Sequence, residues 1–163
     1  MVGDLRHGRT VHSLARLLSR SGGAGHDCRL CYVSPEALSM PQDVKDEVGS
    51  VSAGGRVISQ TEHRQLGEVI AQTDVLYVTR VQKERFASDE ASTAEYEQLK
   101  CCYCVTPEVL AKAKPTAVLM HPLPRVGEIS EACDTDPRAA YFRQMENGMF
   151  VRMALLALLL GKA

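Results

Sequence analysis

The feature that most restricts the fold is an alternation of short apolar runs with stretches of helical spacing. Met1-Val2 is followed by Thr10 to Arg20, where Val11, Leu14, Leu17 and Leu18 recur on one helical face. Ser21-Gly22-Gly23-Ala24-Gly25 ends that helix. The run Arg29 to Val33 precedes helix starts at Ser34-Pro35-Glu36 and Met40-Pro41-Gln42, where a proline loses nothing by lacking an N–H. Arg56-Val57-Ile58 reads as a short strand, and Ser59 with Glu62 has capping-box spacing ahead of a helix through Leu66, Val69 and Ile70. Val75 to Val78 reads as a buried strand, Ser88 to Leu99 as a helix and Cys101 to Val105 as a strand. Thr106-Pro107-Glu108 caps a short helix through Val109, Leu110 and Ala113, before a last strand at Ala117 to Met120. Strands separated by helices need crossover connections, so the pattern predicts an α/β fold: a parallel sheet of about five strands with helices on both faces. Ligands of such sheets bind beyond the carboxyl ends of the strands.

A chain of 163 residues can bury roughly two-thirds of its unfolded surface, enough for one domain without metal or disulfide staples. Its 19 Lys and Arg against 20 Asp and Glu leave a net charge of −1, which argues against a nucleic-acid or acidic-membrane partner. The sequence opens with nothing like a signal peptide, and Met153 to Leu160 is only about 8 apolar residues where a membrane span needs roughly 20. That run reads as a core or interface helix. The six cysteines then read as reduced thiols of a cytoplasmic protein. A zinc module built from Cys28-x-x-Cys31 and Cys101-Cys102-x-Cys104 is disfavoured because both groups lie in predicted strands, where alternate side chains diverge. No metal or cofactor is expected. Gly22-Gly23-Ala24-Gly25 follows a helix rather than a strand, the wrong place for a flavodoxin-like phosphate cradle.

Three strand ends carry the chemistry: Gly3 to Thr10, Thr79 to Arg85, and His121-Pro122-Leu123-Pro124-Arg125. Arg9 precedes a helix and Arg80 follows an apolar strand, so two guanidinium forks, each suited to a carboxylate or phosphate, can stand over one sheet edge. Taken singly, such arginines are more often solvated or paired with Asp4 and Glu84. Pro122 and Pro124 fix two φ angles and remove two donors, leaving a stiff turn that presents carbonyls and in which an X-Pro bond is a candidate for the cis isomer. His121 has the position of a general base, although a histidine at a strand end is more often a hydrogen-bonded scaffold residue.

Gly8-Arg9-Thr10-Val11-His12-Ser13, Thr79-Arg80-Val81-Gln82-Lys83-Glu84-Arg85 and His121-Pro122-Leu123-Pro124-Arg125, in that order and spacing, resemble the aspartate-binding half of aspartate carbamoyltransferase. The likeness runs the length of the chain. Asp136 to Gln144 and Glu146-Asn147-Gly148-Met149 bring it nearest to the form in the animal multifunctional pyrimidine-synthesis protein. The resemblance implies an enzyme that carbamoylates L-aspartate with carbamoyl phosphate, giving N-carbamoyl-aspartate and phosphate. It implies that Arg9 and Arg80 bind the two carboxylates, with Gln82 assisting. The catalytic part would fall on Pro122, Leu123 and Pro124, whose turn offers carbonyls to the amine and carbamoyl group, with Leu123-Pro124 cis. Glu84 would orient Arg80, Lys83 and Arg85 would support a mobile loop and the contact between domains, and His121 and Arg125 would be supporting residues. The ornithine-specific sister enzyme has Cys where Pro122 stands and an acidic loop where Thr79 to Gln82 stands, so a cationic site here fits aspartate.

The family's carbamoyl-phosphate motifs, beginning with a Ser-Thr-Arg-Thr loop, do not occur in the chain. The likeness starts within a first strand, which leaves Met1 either an internal residue of a longer protein or a fragment boundary. This chain alone is then expected to be inactive. The segment from about Arg138 to Leu160, apolar nearly all round, is expected to pack on the absent carbamoyl-phosphate domain. The family implies a homotrimer for the full-length protein. The competing reading is a non-catalytic aspartate-binding or interaction domain descended from the enzyme.

Overall fold

Two parallel pairs of strands form the centre of the computed structural model, which describes residues 1–21, 27–51, 57–83, 86 and 90–162. In chain order the regular elements are α1 (Arg9–Ser21), β1 (Cys28–Val33), α2 (Gln42–Val51), β2 (Val57–His63), β3 (Val75–Tyr77), α3 (Glu90–Cys101), α4 (Pro107–Leu110), β4 (Val118–Met120) and α5 (Tyr141–Leu159). β1 pairs with β2 and β3 with β4, all parallel. Val2 joins the pairs by bridging in parallel to both Val33 and Val78, and Ala139 bridges to Leu119 on the far side of β4. The expected sheet of about five strands is thus four regular strands stitched together by the single residue Val2 among the described residues.

Alternation along the strands divides the core in two. Leu30 and Tyr32 of β1 and Tyr77 of β3 face Val11 and Ala15 of α1 and Val44 and Val48 of α2. Val33, Leu76, Val78 and Leu119 face the other way, onto Leu66, Ile70, Leu110 and Tyr141. Each large apolar side chain buried this way contributes about 1.5–3 kcal/mol. Both faces are covered, as crossover connections require. The second face is covered largely by short 3-10 turns, at Leu66–Glu68, Ile70–Gln72 and Glu131–Cys133, rather than by long helices.

Three local expectations change. Ser59 and Glu62 do not cap a helix; β2 runs on to His63 because Ser59 to His63 pair residue by residue with Arg29 to Val33 of β1, and Gln60 and Glu62 are held by Tyr32 and Lys45. The capping box is real but sits further on, between Gln65 and Glu68. Cys101 ends α3 rather than opening a strand, and Val105 makes one bridge, to Ile129, whose neighbour Glu128 accepts its N–H. Ser34-Pro35 starts only a 3-10 turn, Glu36–Leu38. By contrast Thr106 caps α4 as expected, its hydroxyl accepting from Val109 N at 3.3 Å. Gly22 to Gly25, Arg56 and Ser88 lie outside the described residues.

Candidate functional site

At the carboxyl edge of the sheet the chain leaves Val2 through Gly3, whose φ is +113°. A Cβ there would lie 2.1 Å from the Thr79 carbonyl oxygen, so only glycine lets this segment pass the end of β3. Asp4, next in line, is fully buried. Its carboxylate accepts from His7 N at 2.9 Å, meets His7 Nδ1 at 3.2 Å and accepts from Gln82 N at 3.4 Å, while Gln82 Nε2 donates to His7 O at 2.9 Å. The loop that leads into Arg9 is thereby fastened to the loop that carries Arg80 and Gln82. Arg9, the first residue of α1, is exposed and Arg80 is half-buried. Arg9, Ser13, Tyr77, Met120 and Gln144 line a cleft of about 450 Å³ at the ends of β3 and β4. Lys83 points elsewhere, its ammonium 5.8 Å from the centre of the Tyr96 ring on α3. Glu84 and Arg85 lie outside the described residues.

The turn after β4 is fixed by side chains on every side. Leu123-Pro124 is cis, and Leu123 has a φ of +52°, uncommon for a residue with a branched side chain. Leu123 N donates to His121 Nδ1 at 2.8 Å, which makes Nδ1 the unprotonated nitrogen and leaves Nε2–H to donate to Glu128 Oε1 at 2.7 Å. Glu128 also accepts from Val126 N at 2.8 Å. Burial pushes the Glu128 carboxyl up, but the hydrogen bonds from His121, Val126 and its own backbone outweigh it and hold the group below its ordinary range. His121 is 1% exposed with both ring nitrogens engaged, so it is a scaffold residue and not a general base. Its own N–H donates to Gln144 Oε1 on α5 at 3.0 Å.

Arg125, at the other end of the turn, makes a two-pronged pair with Asp134, one prong at 2.7 Å, and also donates to the Tyr141 hydroxyl at 3.2 Å. Tyr141 donates to the same carboxylate. The Arg125 and Tyr141 hydrogen bonds hold the Asp134 carboxyl down at about 2. Burial, then the neighbouring Asp134, pushes the Tyr141 hydroxyl up to about 12. Arg125 therefore ties the turn to α5 instead of presenting its charge to a ligand. Asp136 and Arg138 brace the approach to α5 in the same way, with Arg138 also donating to Leu110 O at 2.8 Å.

The loops that carry Arg9 and Arg80 are thus fastened together at the end of β3, and the proline turn follows β4, the strand paired with it. The chain matches aspartate/ornithine carbamoyltransferase, Asp/Orn binding domain, over residues 1–159. It belongs to that family. It is 52% identical over 161 residues to the multifunctional protein pyr1-3 of Dictyostelium discoideum, covering 99% of this chain and 7% of that protein. It is 45% identical to the aspartate carbamoyltransferase catalytic subunit of Bifidobacterium longum, covering 99% of this chain and 47% of the subunit. The crystal structure of Trypanosoma cruzi aspartate transcarbamoylase in complex with aspartate and phosphate superposes with a TM-score of 0.81 at 45% identity, over 95% of this chain and 48% of that one. The chain therefore spans about half the length of the Bifidobacterium subunit and of the Trypanosoma enzyme, and it corresponds to the Asp/Orn binding domain of the family.

Asp4, Glu128, Asp134, Tyr141 and Gln144 were not singled out from sequence as site residues. Asp4 and Glu128 could have been, since one stands within a singled-out strand end and the other close after the proline turn; Gln144 sits in the first turn of a helix and sends no signal of its own. Cys28 and Cys31 stand in β1 and Cys102 and Cys104 beyond α3, and no group of three or more metal-binding side chains forms among the described residues.

Proposed function

We propose that this chain is the L-aspartate-binding half of an aspartate carbamoyltransferase, which transfers a carbamoyl group from carbamoyl phosphate to the amine of L-aspartate in pyrimidine biosynthesis. Arg9 and Arg80 bind the two carboxylates, each well-made charge-assisted pair being worth roughly 1.5–3 kcal/mol. The carbonyls of Pro122 and Leu123 take the amine and the carbamoyl NH2, with Pro124 keeping the turn in shape. As the amine nitrogen bonds to the carbamoyl carbon, the bond from that carbon to the phosphate oxygen breaks, phosphate leaves with the electron pair and the amine gives up a proton. Positioning and charge stabilisation supply the acceleration. The observation that carries this reading is the fastening of the Arg9 and Arg80 loops, through Asp4 and Gln82, beside one carbonyl-presenting turn.

The phosphate half of the site belongs to a second domain. Support for its docking place comes from α5, where Tyr141 is the buried residue and Phe150, Met153, Leu155, Leu156 and Leu159 are all exposed. No helix among the described residues is long and apolar enough to cross a membrane. A soluble carbamoyl-phosphate domain covering these side chains, in a cytoplasmic homotrimer, accounts for them. The test is carbamoylation by the chain joined to a carbamoyl-phosphate domain and by the chain alone. The joined protein is expected to convert aspartate and not ornithine, and the chain alone neither. A joined protein that prefers ornithine, or a folded one that carbamoylates neither, would overturn the proposal.

A further inference from the structure

The Pro122 to Pro124 turn is the part of the site that works through its backbone, so whatever sets that backbone sets the site. Two side chains from the first turn of α5 hold it, one at each end. Gln144 Oε1 accepts from His121 N at 3.0 Å just before the turn, and the Tyr141 hydroxyl meets Arg125 and Asp134 just after it. The two ends are not held alike. Arg125 keeps a two-pronged partner in Asp134 even without Tyr141, whereas the His121 N–H depends on Gln144 among the described residues. That N–H belongs to the residue whose ring accepts from Leu123 N, so a shift of His121 moves the Leu123 carbonyl with it. Gln144 is half-buried and its side chain also lines the cleft with Arg9. The backbone donor facing it identifies the bonded atom as the amide oxygen. Beyond this first turn, α5 exposes Met149, Phe150, Met153, Leu155, Leu156 and Leu159.

We infer that Gln144 is a positioning residue for the carbamoyl acceptor: it registers α5 against the carbonyl turn, so that packing of a second domain on α5 is felt as the placement of the Leu123 carbonyl. The inference rests on the proposed function for its kinetic consequence, and on geometry alone for the contact. Gln144→Leu keeps the volume and removes the acceptor. Placed in the chain joined to its carbamoyl-phosphate domain, it is expected to raise the aspartate KM about tenfold, the most that one lost neutral hydrogen bond gives, and to leave the carbamoyl phosphate KM within about twofold. In the 163-residue chain it is expected to speed amide exchange at His121, and Gln144→Glu, which keeps an acceptor oxygen, is expected to restore the protection. Unchanged His121 exchange with an unchanged aspartate KM would overturn the inference. So would equal rises in both KM values with a fall in melting temperature, which would make Gln144 a packing residue. Failure of the proposed function shows separately, as a native joined protein that does not carbamoylate aspartate while the exchange arm still reports on the Gln144 contact.

Discussion

The two sides of the cleft are built on opposite plans. On the β4 side the polar side chains of the turn are spent on scaffolding: Arg125 on Asp134, Glu128 on His121 and Val126, and His121 on Leu123 and Glu128. The backbone of the turn is thereby held in one shape, and Met120 and Gln144 line the cleft on this side. On the other side the scaffold is made by a buried Asp4, a glutamine amide and one glycine contact, while Arg9 stands exposed at the start of α1. A backbone acceptor is useful only where it is fixed, and a guanidinium is useful only where its fork is left for the ligand. A charge in a motif is therefore no guide to its use: Arg125 is neutralised by Asp134, whereas Arg9 stands exposed.

Breaking each side separately should separate stability from binding. The largest effect is expected from Gly3→Ala, which sets a Cβ against the Thr79 carbonyl at a positive φ and should cost about 3 kcal/mol in denaturant unfolding. A cost under about 0.5 kcal/mol would mean that the two loops are not held by this contact. Arg125→Met should cost about 2 kcal/mol and lower the melting temperature by roughly 4–8 °C, because it leaves Asp134 with Tyr141 alone.

A smaller effect is expected from pH. The Asp134 carboxyl ionises near 2 when folded against an ordinary 3.8, so its contribution is complete above the ordinary value and disappears as pH falls toward 2. Denaturant unfolding at about pH 5 and about pH 3 should show a loss that Asp134→Asn reduces. The smallest is Lys83→Ala, which removes one exposed cation from the Tyr96 ring and should cost under about 1 kcal/mol.

Much of this was legible in the residues before any coordinates. The alternation of apolar runs located β1, β3 and β4 and the parallel sheet, and the proline-flanked Leu123 marked the turn, because those signals are local: buried strands are apolar on both faces and proline fixes its own φ. The extent of β2 was not legible, since Ser59, Gln60, Thr61 and Glu62 carry no strand-like apolarity and are held by pairing with β1 and by side chains distant in sequence. Nor were the clamps. Asp134 and Gln144 act on residues 9 and 23 positions away, a juxtaposition that exists only after β4 has been laid beside residues 138–140. The sequence of α5 is apolar on more than one side, and Leu155, Leu156, Leu158 and Leu159 are exposed.

The central claim is that the side-chain half of the cleft recognises a dicarboxylate. The most direct measurement is the aspartate saturation curve of Arg80→Ala in the chain joined to its carbamoyl-phosphate domain. Loss of one charge-assisted pair predicts a fall in kcat/KM for aspartate of about 10- to 150-fold. An Arg80→Ala protein with native aspartate kinetics would contradict the account.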